Sequence, residues 1–406
     1  MPCGSRIQIA YLPVSASNMH GFRAKHVPAL DGLRGLAILL VITHHQLIPF
    51  SLEGGFLGVD LFFVLSGFLI TTLLMAEFDA AKTISLRNFY ARRALRLGPA
   101  LLLYLLVCLI VTYHTQILEW TRELKLIGVA LVYSTNWRMA LGWDAALDPT
   151  AIIWSLSIEE QFYLLWPVLF FVCLLVKFRR SHIIAGLALV VLSIMFHRYS
   201  LWRSGADLSR LYYGTDTRAD APLLGCLMAL IPTWELSVSR KPYLQIGVAL
   251  SVLCLVGLVL TSQFTDQFLY RGGYTAFAVL SGVMTWSVAN GPPRLLATCL
   301  EWYPLRWFGK ISYGLYLWHW LLLKTVSLYY FVGNWDPWAR FVLAVGVSAL
   351  SFYVVERPFN KLKPRFVHSP AATPLPVAVQ IKTTNSGALN HSYTTPAIIQ
   401  PSEQAS

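Results

Sequence analysis

Arg34 and His45 are the two residues of this chain whose types and spacing most directly suggest chemistry. They stand eleven positions apart in the apolar run ALDGLRGLAILLVITHH at 29–45. At 3.6 residues per turn and 1.5 Å per residue, that separation is about three turns and roughly 16 Å, so both side chains lie on nearly one face. His44 points about 100° away, which leaves His45 as the histidine that shares the Arg34 face. A guanidinium at one end of such a spacer can anchor an anion, and an imidazole at the other can move a proton or carry a group. A topology anchor and a satisfied core histidine would explain each residue alone, but not the shared face. Ionisable residues at membrane depth are costly and are read as functional by default.

Three further stretches carry candidate groups. In GVDLFFVLSGFLIT (58–71), Asp60 enters an apolar helix with no basic neighbour in sequence. A carboxylate there must pair or face a cavity, and it is a candidate for orienting the histidine. Gly55, Gly58, Ser66 and Gly67 suit close helix approach instead. In FYARRALRLGP (89–99), Arg92, Arg93 and Arg96 crowd one helix start, and Arg92 and Arg96, four apart, share a face. Membrane anchoring would be served as well by lysine, whereas arginines suit bidentate phosphate recognition. In WSLSIEEQFYLLWP (154–167), Glu159 and Glu160 open an apolar helix, and one of them can be a partner of the helix dipole only. With Gln161 and Tyr163 they suggest a polar lining. Weaker signals are DTRAD (216–220), ERPF (356–359) and SYGLYLWHW (312–320), where His319 reads more readily as a packed residue among aromatics. No Walker loop, HExxH or GxSxG occurs, so the sequence carries none of those NTPase, zinc-protease or serine-hydrolase signatures.

The elements that position these groups follow from composition. Hydrophobic residues make up 56% of 406 and charged residues 13%. Soluble chains carry about a quarter charged residues, so an all-α polytopic membrane protein is expected. The net charge of +12 does not indicate nucleic acid, because the basic residues punctuate apolar runs rather than cluster on one soluble face. The six cysteines form no CxxC pair and read as small core hydrophobes, with no metal site expected. About ten spans are predicted, near 31–50, 56–76, 97–114, 152–176, 182–202, 221–236, 243–262, 273–290, 311–331 and 338–355. The apolar stretch 124–133 is too short to cross and reads as re-entrant or interfacial. With both ends cytoplasmic, the inner segments hold 22 of the 32 Lys and Arg, which satisfies the positive-inside rule. No cleavable signal peptide is recognised. Residues 1–25 read as a polar cytoplasmic lead, 26–365 as the transmembrane domain and 366–406 as a disordered cytoplasmic tail too poor in large apolar residues to fold.

Taken in order, these motifs resemble the membrane acyltransferase-3 family, bacterial O-acyltransferases of surface glycans and small molecules. Its Arg-x10-His motif matches Arg34 and His45, and its GVDxFFVxSGxLIT segment matches 58–71. FYxRRxxRxxP matches 89–99, WSLSxExQFYLxxP matches 154–167 with the family-typical acid on Glu159, and the later segments at 216–226, 312–320 and 356–359 match too. The resemblance covers nearly all of 26–359. It implies a cytoplasmic acyl-CoA donor, acetyl-CoA by family habit, whose phosphates suit Arg34, Arg92, Arg93 and Arg96. It implies His45 as general base or transient acyl carrier, charge-balanced by Asp60 or Glu159. The acceptor is then a hydroxyl of a cell-surface or exported carbohydrate or a small molecule, reached from the outer side of the plasma membrane. The esterase-like domain of larger family members is not expected, which leaves room for a separate extracytoplasmic partner protein. The competing class is a multi-pass transporter or flippase, but such folds more often carry an internal repeat with broken helices in both halves, and none is detected.

Overall fold

The computed structural model describes residues 26–45, 47, 51–115, 118–143, 148–232, 238, 241–323 and 337–366. The expected N-terminal lead and all but the first residue of the expected tail lie outside the described residues. Among the described residues there is no strand. The first half of the chain forms α1 (Pro28–His44), α2 (Gly58–Ala81), α3 (Leu86–Thr115), α4 (Trp120–Leu131), α5 (Thr135–Ala140), α6 (Trp154–Leu175) and α7 (Arg180–Arg203). Three short helices follow, α8 (Leu208–Tyr213), α9 (Thr215–Arg218) and α10 (Asp220–Ala229). The remainder is α11 (Pro242–Thr261), α12 (Tyr274–Ala289), α13 (Arg294–Leu300), α14 (Tyr303–Leu321) and α15 (Pro337–Ser351).

Among the described residues, six stretches are long and apolar enough to cross a membrane: Glu53–Ala81, Leu86–Thr115, Ala151–Leu175, Arg180–Arg203, Pro242–Thr261 and Trp338–Phe366. The chain is a membrane protein. Of the other four expected spans, 31–50, 221–236 and 311–331 run partly outside the described residues, and the helices described within all four fall short on length or composition. α1 has 17 residues, α10 has 10 and α12 has 16, while α14 has 19 but carries Arg306, Lys310 and His319. α12 is shortened because its approach is a π-helical turn in which Gly272 takes φ 138°, a conformation open to glycine. α4 is a 12-residue helix, about 18 Å long and too short to cross. Large apolar side chains stand exposed along α3, α6, α7 and α11, among them Leu102, Leu165, Leu189 and Leu253. In water these would be a liability; in a bilayer they are the lipid-facing surface.

The core is built on helices that meet without side chains between them. A Cβ on Gly35 would lie 2.0 Å from the Leu305 carbonyl oxygen, and one on Gly309 would lie 1.8 Å from that of Asp31. Such contacts let α1 and α14 pack backbone to backbone. The two helices run parallel: Asp31 lies against Gly309, Arg34 against Ser312, and His45 against His319. α2 packs on α10 in the same close manner, with Gly67 against the carbonyl of Pro222.

Candidate functional site

The candidate residues fall into three groups of polar side chains in this core. The first surrounds a cavity of about 90 Å³ lined by α1, α2, α3, α6 and α14. Arg34, Arg93 and Arg96 line it, together with a single lining carboxylate, Glu159. Arg34 donates from Nη2 to Ser312 Oγ at 3.2 Å. Glu159 accepts from Ser66 Oγ at 3.1 Å and from the Tyr163 hydroxyl at 2.9 Å. The Arg93 guanidinium lies 3.3 Å over the Tyr163 ring, 3.8 Å from Glu159 Oε2 and 3.6 Å from Glu160 Oε1. Leu65, Leu69 and Leu97 supply apolar wall. Three guanidinium groups in the lining, with an excess of positive over negative lining groups, suit an anionic ligand with an apolar portion.

The arginine motif therefore divides. Arg93 and Arg96, three apart, face the cavity. Arg92 turns away, donating to Glu77 Oε2 at 3.0 Å and to the Phe366 carbonyl at 2.6 Å. Its spacing from Arg96 gives them a common helix stripe, but Glu77 at the end of α2 draws it out of the cavity.

The second group is a histidine pair. His45 follows the last residue of α1, and its Nδ1 lies 3.1 Å from Nε2 of His319 on α14. The two rings stack at 5.1 Å, and the Trp320 ring meets His45 edge-on at 5.1 Å. His319 is fully buried, and its Nδ1 lies 2.8 Å from the Leu315 carbonyl, one turn back on the same helix. α14 links this pair to the arginine cavity. Ser312 and Tyr316 line the cavity, and Tyr316 precedes His319 by three positions. The Tyr316 hydroxyl donates to the Ile152 carbonyl at 3.0 Å and takes up Ser155 Oγ at 2.5 Å. A parallel helix pair thus carries an arginine and a serine near one end and two histidines at the other.

The third group holds Asp60. Its carboxylate receives Arg218 Nη2 at 2.8 and 2.9 Å, with both side chains buried. The guanidinium packs against the faces of Tyr274 and Tyr212, 4.0 and 4.6 Å from the ring centroids. Beside it, Arg198 binds Asp220 at 3.0 Å, and the Thr275 hydroxyl lies 2.6 Å from the same carboxylate oxygen. The DTRAD stretch supplies the cation that Asp60 lacks nearby in sequence, from 158 positions away. Both carboxylates considered for the histidine, Asp60 and Glu159, are thus engaged with arginines and hydroxyls.

The acyltransferase-domain family model matches residues 27–357. The chain belongs to the acyltransferase-3 family. A putative peptidoglycan O-acetyltransferase of Bacillus subtilis is 36% identical over 353 residues, covering 83% of this chain and 55% of that protein. The peptidoglycan O-acetyltransferase OatA of Listeria monocytogenes is 36% identical over 362 residues, covering 84% and 57%. An O-acetyltransferase of Staphylococcus aureus is 36% identical over 363 residues, covering 84% and 58%. The chain therefore spans a little over half the length of these relatives. No solved structure matches it. His319 and Arg218 are weak signals in sequence because each acquires its partner only across more than 150 positions, and WHW and DTRAD do not name that partner.

Proposed function

We propose that this chain is an integral-membrane O-acyltransferase that moves an acetyl group from cytoplasmic acetyl-CoA to a hydroxyl of a cell-envelope glycan. The observation that carries this reading is the parallel α1–α14 pair, which joins the arginine-lined cavity to His45. Arg34, Arg93 and Arg96 would bind donor phosphates, each as a charge-assisted hydrogen-bond donor. The thioester arm would extend along α1 toward His45, over roughly the 16 Å between the two motif positions. There the acceptor O–H proton passes to His45, its oxygen attacks the thioester carbonyl, the C–S bond breaks, and the thiolate leaves with the proton. In a two-step variant the imidazole attacks the thioester carbonyl and the thiolate leaves; the acceptor oxygen then attacks the acetyl-imidazole, the imidazole leaves, and the hydroxyl proton passes to the thiolate. Relatives named as peptidoglycan O-acetyltransferases favour a glycan acceptor.

The same reading takes ten crossings with both ends cytoplasmic. Parallel packing of α1 and α14 supports it, since two parallel spans have an odd number of crossings between them, and the first and ninth spans of this scheme have seven. Single cysteines introduced at residue 178 and residue 205 should then label from opposite sides of sealed vesicles; labelling from one side removes this topology.

The deciding assay is transfer and hydrolysis of radiolabelled acetyl-CoA by the full chain in nanodiscs. His45→Ala is expected to bind acetyl-CoA and to lose turnover by about 100-fold or more, the contribution of a positioned general base. Arg34→Ala is expected to weaken binding. Undiminished transfer by folded His45→Ala would sink the mechanism.

A further inference from the structure

We propose that His319 is a positioning residue that sets the tautomer of His45, presenting Nε2 of His45 to the acceptor hydroxyl. The inference deepens the acyltransfer reading and rests on it for its catalytic meaning, but its geometry stands apart.

The argument runs by hydrogen-bond roles. A backbone carbonyl only accepts, so at 2.8 Å from the Leu315 oxygen the His319 Nδ1 must carry the proton. His319 is wholly buried, and among the described residues no carboxylate pairs with it. A buried unpaired imidazolium is costly, so the ring is neutral and its Nε2 carries a lone pair. The 3.1 Å contact to His45 then requires a donor on the other side, and that donor is His45 Nδ1–H. Neutral His45 thereby has its lone pair on Nε2. Two histidines and one carbonyl form a directed chain, from His45 to His319 to Leu315.

This arrangement does the orienting work that a carboxylate performs in a His–carboxylate pair, where the partner of Nδ1–H fixes both ring rotation and tautomer. The two carboxylates at hand are committed elsewhere, Asp60 to Arg218 and Glu159 to Ser66, Tyr163 and Arg93. Leu315 and His319 sit one turn apart on α14, so the chain is anchored to a helix that also lines the donor cavity. A shift of α14 at the cavity would be felt at His45.

Nitrogen-15 NMR of histidine-labelled full-length protein in nanodiscs reads the tautomer directly, since protonated and lone-pair ring nitrogens resonate far apart. His45 is assigned by loss of its signals in His45→Gln. The expected wild-type result is a protonated Nδ1 and a lone-pair Nε2 on His45. His319→Phe removes the acceptor and should release His45 to a mixture of tautomers, lowering acetyl transfer by about 100-fold with acetyl-CoA affinity kept within about twofold. His319→Gln restores an acceptor oxygen at the position of Nε2, and should recover the Nδ1–H tautomer and most of the activity. A wild-type His45 protonated on Nε2 overturns the proposal, as does an unchanged tautomer in His319→Phe. If His319→Phe does not fold, the wild-type and His319→Gln spectra decide. Absence of transfer by wild type alongside the expected tautomer would count against the acyltransferase reading and leave the positioning geometry intact.

Discussion

The arginine cavity and the Asp60–Arg218 knot are both made of guanidinium and carboxylate groups buried in the same bundle, yet they are built for different ends. In the knot, cation and anion match one to one, the guanidinium is sandwiched by Tyr212 and Tyr274, and a second pair, Arg198 with Asp220, stands beside it. Nothing there is left for a ligand to neutralise. In the cavity, three arginines face one lining carboxylate; Arg93 lies near it and near Glu160, whereas Arg34 and Arg96 stand in no ion pair among the described residues. A balanced pair braces helices that are far apart in sequence; an unbalanced cluster around a void is a place to bind an anion.

The sharpest way to break the comparison is to remove one half of the knot. Arg218→Ala leaves Asp60 buried and unpaired, and is expected to cost about 3–5 kcal/mol. Folding yield and thermal stability in detergent should collapse, while a paired replacement such as Asp60→Asn with Arg218→Met should recover much of the loss. If Arg218→Ala folds normally but is inactive, the knot belongs with the chemistry instead.

A smaller and opposite effect is expected in the cavity. Arg93→Ala or Arg96→Ala should leave stability nearly unchanged and weaken acetyl-CoA binding by about tenfold or more, since a hydrogen bond to a charged group contributes about 1.5–3 kcal/mol. Arg92→Ala is the internal control. It pairs with Glu77 outside the cavity and should alter affinity by less than about twofold, as surface ion pairs contribute little. Isothermal titration or scintillation proximity with labelled acetyl-CoA separates the three. Equal losses for all of them would return Arg92 to the donor site.

The smallest expected effect lies at α4. Burial, with added repulsion from Asp148, pushes the Glu123 carboxyl up to about 7 from 4.5. The folded state therefore holds its proton more tightly than the unfolded state. The stability so gained is full below about pH 4.5 and is lost as pH rises through about 7. Thermal stability measured between pH 5 and 8 should fall slightly with rising pH in wild type, and the slope should flatten in Glu123→Gln.

Much of the site was legible before any fold was known, and the limits were specific. Helix periodicity put Arg34 and His45 on one face, and the structure places them at the cavity and at the histidine pair of the same helix line. Periodicity also put Arg92 with Arg96, but a helix stripe does not say which neighbour will claim each side chain, and Glu77 claimed Arg92. Asp60 was recognised as needing a partner, yet the partner lay 158 positions away.

The sequence by itself determined that the chain lives in a membrane, is helical, and belongs with the acyltransferases. Apolar run length, interrupted charge and motif order are local properties, and the bilayer's thickness converts them into architecture. Only the tertiary structure decided which charges are spent on bracing and which line a cavity. It alone put His319 behind His45, because glycine contacts such as Gly35 with Leu305 bring α1 and α14 together in parallel. Pair chemistry depends on distance in space, and a sequence measures distance only along the chain.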